Sequence, residues 1–193
     1  MTAMKWTFCL LLTGLVTACG STPRSDYYML SANARGSMGS EGPSIGVGPV
    51  SVPEYLKRRE MVLNRSANRL HLADFDRWAE PLDAGVLRVT ALNLSLLLQT
   101  QQVQTFPWRR SNPPDFGISI AVVQFSMQGR QALLVAEWTV TEPATGTAVM
   151  QHISRLENSA TGGDPEDVAA AYSDLLKDLS KEIATAITEL RAP

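Results

Sequence analysis

Cysteine is nearly missing from this chain of 193 residues: Cys9 and Cys19 are the whole supply. Everything after residue 19 is therefore without a disulfide or a thiolate metal site and must be held by its core alone. Histidine is as scarce. His71 and His152 stand in separate strand candidates with no HxH or HxxxH spacing, so no histidine metal site is expected. Basic residues are not in excess: 17 Lys and Arg face 19 Asp and Glu. With no basic stripe, a nucleic-acid partner is excluded. No GxSxG elbow and no Gly-rich loop ending in Lys-Ser/Thr occurs. Gly46-Val47-Gly48 runs into Pro49 rather than a helix, which argues against a dinucleotide loop. Long apolar runs are lacking too, with one short exception at the N-terminus.

That exception is Trp6 to Val16, preceded by a single charge at Lys5 and no acid. It reads as the charged and apolar regions of an export signal. A membrane-spanning helix needs roughly 20 apolar residues, about twice this length. The run ends in Leu15-Val16-Thr17-Ala18-Cys19-Gly20. Small residues at 17 and 18 suit a peptidase cleft, and the Cys19 thiol is the one side chain there that can take a thioether-linked diacylglycerol. We therefore expect residues 1–18 to be a lipoprotein signal peptide and Cys19 to be the lipidated first residue of the mature chain. An ordinary secretory signal with an incidental cysteine is the weaker alternative. Stable anchoring takes more than one acyl chain, so a diacylglycerol and an N-acyl group (palmitate or similar) are expected on Cys19, with no other cofactor. Gly20 is not Asp, which by analogy with sorting in enteric bacteria favours the outer membrane. Loss of Lys5 leaves 16 basic against 19 acidic residues, a mature charge of −3.

Residues 19–26 are polar and carry Pro23; they read as a lipidated tether. Residues 27–193 read as one periplasm-facing domain. Strands are expected at 27–30, 45–52, 61–64, 69–73 and 103–108, with Pro49 marking an edge or a bulge. Residues 31–43, rich in Ser, Gly and Ala, read as a loop. Leu82, Val86, Val89, Leu92 and Leu96 recur at steps of three and four and define a helix ending near Gln99. Three strands, 117–127, 131–142 and 147–157, are separated by turn signals and predict an antiparallel meander. In the first of them Ile118, Ile120 and Val122 fall on one face and Val123, Phe125 and Met127 on the other. Asp164-Pro165-Glu166-Asp167 opens a second amphipathic helix running to about Leu190. The fold class is α+β: a two-layer sandwich, mostly antiparallel sheet, with both helices on one face.

Two segments stand out for chemistry. Asp74, Asp76, Glu80 and Asp83 cluster in sequence. Paired carboxylates could do acid–base work, but no calcium-loop spacing is present, and helix capping or pairing with Arg77 is the simpler reading. No catalytic set is found, and no enzyme activity is expected. The other feature is aromatic and basic: Arg77-Trp78 before the first helix, and Phe106-Pro107-Trp108-Arg109-Arg110 before a Pro-rich loop. Trp and Arg are enriched at interface hot spots and also stack within folds. For Arg77, Trp78, Trp108, Arg109 and Arg110 both partner binding and packing stay open.

These stretches carry a resemblance. Tyr27-Tyr28-Met29-Leu30, the run from Ile45 to Leu56, Asn68 to Leu82 ending in Arg-Trp-Ala-Glu-Pro-Leu, and Phe106 to Arg110 with the following Pro-Pro-Asp-Phe resemble the PqiC family of ABC-type transport auxiliary lipoproteins. The resemblance covers nearly the whole mature chain. It implies an outer-membrane lipoprotein, lipid-anchored and facing the periplasm. Such a protein acts as accessory or docking subunit of an intermembrane phospholipid transport system and maintains envelope integrity. The implied partner is an inner-membrane MCE-domain protein, received by a homo-oligomeric ring. It implies no catalytic residues. The alternative is a stand-alone structural lipoprotein that binds peptidoglycan or another envelope protein.

Overall fold

The computed structural model describes residues 24–192 apart from Ala67 and Arg110. The expected signal peptide, Cys19 and most of the tether lie outside them. The described residues form eight strands and two long helices. The strands are β1 Asp26–Tyr28, β2 Ile45–Ser51, β3 Glu60–Ser66, β4 Arg69–Trp78, β5 Val103–Thr105, β6 Phe116–Gln128, β7 Gln131–Glu142 and β8 Thr147–Ser159. The helices are α1 Leu82–Leu97 and α2 Pro165–Leu190, with one 3-10 turn at Glu54–Leu56.

The α+β class holds. One mixed sheet carries all eight strands, and its long ladders, β6 with β7 and β7 with β8, are antiparallel. Strand β6 is 13 residues long, so two strands share its second edge. Strand β2 lies parallel to residues 116–121, and β3 meets it at Gln128. Strand β5 adds outside β2, and β4 then β1 add outside β3. Helix α1 packs over β2, α2 packs over β7 and β8, and the two helices pack on each other. No helix among the described residues is long and apolar enough to cross a membrane.

Alternation decides which side chains meet the helices. On β7, Ala132, Leu134, Ala136, Trp138 and Val140 are all buried. Along β6 the expected alternation breaks. The register with β7 shifts between Val122 and Gln124, so Val123 is the extra residue of a β-bulge and stands 52 % exposed. A bulge flips the faces beyond it. Phe125 and Met127 therefore join Ile118, Ile120 and Val122 in the core, instead of facing away from them. Phe125 stacks on Tyr172 of α2 with ring centroids 3.8 Å apart. Pro49 likewise sits at a bulge, between Val47 and Val50 of a strand that is paired on both sides.

Residues 31–43 have no strand or helix of their own beyond one bridge, yet they are tied down. The Ser31 N–H donates to Ser173 Oγ at 3.0 Å, Asn33 Nδ2 to Asp174 at 3.1 Å, and the Ala34 N–H to Asn93 Oδ1 at 3.0 Å. The segment thus crosses from α2 to α1 as a strap on the outside of the helix pair. Glycine is required where it lies on the end of α1: a Cβ at Gly42 would stand 2.0 Å from the Leu98 carbonyl oxygen. The strap gives the buried Asn93 of α1 a partner, while the buried Ser95 donates to the Thr100 carbonyl just beyond the helix end.

Candidate functional site

The aromatic-basic segment after β5 was expected to continue as a strand to Trp108. It does not, because the ladder stops at Thr105. The Phe106 N–H still donates to the Val47 carbonyl at 2.9 Å, but Pro107 has no N–H to give. The chain turns out there and loops back to β6. Its return is clamped by Asp115, whose carboxylate accepts from both the N–H and the hydroxyl of Ser44 at 2.8 Å. Between these ties the side chains divide.

Trp108 is half-buried and sits against a glycine pair. Gly46 and Gly117 are register partners on β2 and β6. A Cβ at Gly46 would stand 2.6 Å from Trp108 Cε3, and one at Gly117 would stand 3.0 Å from Cη2. The glycines leave room for the indole on the sheet face that the helices do not cover. Phe106 meets Trp108 edge-on at 5.3 Å and remains 49 % exposed. Arg109 is exposed. Arg110 is outside the described residues. So Trp108 fastens the loop, and Phe106 and Arg109 are left exposed on it.

The second segment behaves differently. Trp78 is 5 % exposed and stacks near Tyr172, with centroids 6.2 Å apart. It is a packing residue at the end of β4. Arg77 is half-buried beside it, with its Nε buried and unpartnered. These two residues and Trp108 are not brought onto one docking surface by any contact seen here.

The four carboxylates do not work as a set. Asp74 and Asp76 lie in β4 and do not cap the helix, which starts at Leu82. Asp76 accepts the Tyr28 hydroxyl at 3.1 Å; burial and this neighbour push the Tyr28 phenol up. Glu80 does not pair with Arg77. It holds Arg88, with Nη2 at 2.5 Å and Nε at 3.0 Å, and Arg88 also donates to the Leu30 carbonyl at 2.8 Å. Asp83 accepts from the Ala84 N–H. Among the described residues no group of three His, Cys, Asp or Glu converges as a metal site. His71 faces Leu63 across the β3–β4 hairpin, and His152 tilts against Trp138 at 5.5 Å.

Sequence reasoning missed one feature. A cleft of about 340 Å³ opens where β1 begins, lined by Tyr27, Trp78 and the run Lys57-Arg58-Arg59, with Glu80 and Asp83 on its far side. Three successive basic residues were the available signal; their position beside Tyr27 was not readable.

An eight-stranded mixed sheet, two helices on one face and a clamped aromatic loop on the other define an α+β fold. The chain belongs to the ABC-type transport auxiliary lipoprotein component family, whose pattern matches residues 28–184. Membership makes it an accessory lipoprotein of a transport system, located in the cell envelope. Its fold is similar to that of a protein from Xanthomonas campestris at 14 % identity, covering 86 % of this chain and 98 % of that one, with a TM-score of 0.71. An uncharacterized protein at 19 % identity matches over 86 % of this chain and 99 % of its own, with a TM-score of 0.68. A PelC dodecamer from Paraburkholderia phytofirmans overlays more loosely, at 15 % identity, 78 % and 95 % coverage and a TM-score of 0.45. No curated protein matches the sequence.

Proposed function

We propose that this protein is an outer-membrane lipoprotein, anchored by acyl chains on Cys19, that serves as the docking subunit of an MCE-type phospholipid transport system. The carrying observation is the family match across residues 28–184, set directly behind a lipoprotein signal ending at Cys19. The resemblance of the Arg-Trp-Ala-Glu-Pro-Leu and Phe-Pro-Trp-Arg-Arg stretches to PqiC proteins supports the choice of partner, an inner-membrane MCE-domain protein.

The physical case is one of exposed acyl chains. A lipid crossing an aqueous gap pays about 0.8 kcal/mol for each CH₂ left in water. A closed apolar conduit avoids this, and a subunit fixed to the receiving membrane gives the conduit a defined end. That role needs no catalytic side chain, cofactor or nucleotide site in this subunit, only an anchor, a rigid body and a contact surface. The Phe106–Arg109 loop, clamped at both ends and exposing one aromatic and one guanidinium, is the contact surface we assign. A homo-oligomeric ring of such subunits would surround the conduit.

The test is a crosslinked pull-down from membranes of the native host, with the protein tagged at its chromosomal locus and partners read by mass spectrometry. Recovery of an MCE-domain protein is expected. Recovery of peptidoglycan or unrelated envelope proteins alone, in a preparation that keeps other complexes intact, would replace this role with a stand-alone structural one.

A further inference from the structure

The cleft beside β1 lies at the end of the chain that the anchor holds. From Cys19 to Asp26 there are seven residue steps, which span about 25 Å when fully extended. Tyr27, on the cleft rim, is the next residue. Whatever the tether's conformation, this end of the domain stays within that distance of the bilayer carrying the acyl chains. The tether holds Arg24 and a single acid at its last residue, Asp26, the first acidic residue of the whole chain.

The rim suits a membrane surface. Tyr27 is 61 % exposed, and tyrosine is enriched where a protein meets the headgroup layer. Met29, two residues on and 54 % exposed, lines the adjoining hollow that Tyr27 also borders. Lys57, Arg58 and Arg59 are all exposed. Lys57 is already held by Glu54, and Glu80 by Arg88. Among the described residues neither Arg58 nor Arg59 has a carboxylate within ion-pair distance. Asp83 is the one acid lining the cleft that no base holds. Two unpaired guanidiniums, with Trp78 closing the wall behind them, form a site for a phosphodiester, since guanidinium binds phosphate oxygens in pairs.

We infer that this cleft docks the domain on anionic phospholipid headgroups of the membrane in which Cys19 is anchored, with Arg58 and Arg59 binding the phosphodiester and Tyr27 lying at the headgroup layer. The inference rests on the lipid anchor proposed above and adds to it a fixed orientation of the domain on its membrane. Attraction of this kind acts over about 8 Å at physiological salt, so the docked and undocked states differ sharply.

The mature chain's one cysteine is the lipidated residue, which leaves an introduced thiol unique. Lipidated full-length protein carrying Ala79→Cys, on the cleft lining, is reconstituted into phosphatidylcholine vesicles with or without about 30 % phosphatidylglycerol. The rate of alkylation by a membrane-impermeant maleimide is then measured. Each arginine near an anionic surface contributes about fivefold in binding, so alkylation should slow several-fold in the anionic vesicles. It should recover in about 0.5 M salt and in the Arg58→Ser/Arg59→Ser protein. A thiol introduced by Gln151→Cys, on β8, should react equally in both vesicles. Equal rates at Ala79→Cys in both lipids, or slowing that survives the double serine change, would overturn the docking. So would the same slowing by inorganic phosphate in neutral vesicles, which would make the cleft a free-anion site. Protein that floats with neither vesicle has no anchor; that outcome removes the transport reading's anchor and this inference together, and is told apart by flotation alone.

Discussion

The two faces of the sheet obey different rules. On the helix side, every second residue of β7 is buried and apolar, and β6 inserts a bulge to keep its own apolar residues there. On the other side β6 and β7 present Ser119, Glu137 and Thr139 and β8 presents Gln151, with Val123 of β6 and Ile153 of β8 exposed among them. One aromatic, Trp108, covers one end of that face, seated on Gly46 and Gly117. The first face is built by volume and hydrophobicity, the second by leaving space. Stability should be concentrated on the first, and recognition on the second.

The largest effect should come from Phe125→Ala. Phe125 is fully buried and stacked on Tyr172, and loss of such a side chain costs about 3–5 kcal/mol. Val123→Ala, two residues earlier but on the open face, should change denaturant stability by no more than about 0.5 kcal/mol. Similar losses at both positions would contradict the bulge.

A change of intermediate size is expected at Gly46→Val. The new side chain meets Trp108 Cε3 and Pro114 Cγ, and overpacking of this kind costs about 1–3 kcal/mol. Most of that cost should vanish on a Trp108→Ala background, measured as a double-mutant cycle in urea. An unchanged cost would mean that the glycine serves the strand and not the indole.

Smaller still is Tyr172→Phe. The hydroxyl is buried without a partner and burial drives its pKa up. Removing an unsatisfied polar group should leave thermal stability equal or slightly higher; a clear drop would reveal a bound partner for that oxygen.

The smallest effect is on the strap. Burial opposes ionisation of Asp174, but hydrogen bonds from Lys177 and Asn33 outweigh it and hold the carboxyl below its usual range. The folded pKa is thus below the unfolded one. The associated stability is present above the unfolded value and is lost as pH falls through the folded value. Asp174→Asn should flatten the acid end of the stability curve slightly, and amide exchange at residues 31–34 should quicken in acid in the parent protein but not in the variant.

The elements were legible where one period ran unbroken. Strand β7 and helix α2 fall where alternation and the Asp164-Pro165 start placed them, although the Asp164 side chain makes no cap bond. The bulge at Val123 was not legible, because Val122-Val123 continues an alternating apolar pattern and no glycine or proline marks the extra residue. Nor was the strap: Gly36, Gly39 and Gly42 read only as part of a loop, whereas they allow close contact with carbonyl oxygens at the end of α1. Of the candidate residues, Trp78 and Trp108 look alike in sequence. Only three-dimensional packing separates a core indole from one that pins an exposed loop.

The most direct test of the account places a photocrosslinking amino acid at Phe106, at Arg109 and, as a control on the outer side of the helix layer, at Leu92. Cells of the native host are irradiated and adducts identified by mass spectrometry. Adducts with an MCE-domain protein from positions 106 and 109, and none from 92, are expected if the open face receives the transporter. Adducts from 92 alone would put the contact on the helix layer, and the absence of any such adduct in cells where the protein is correctly anchored would contradict the docking role.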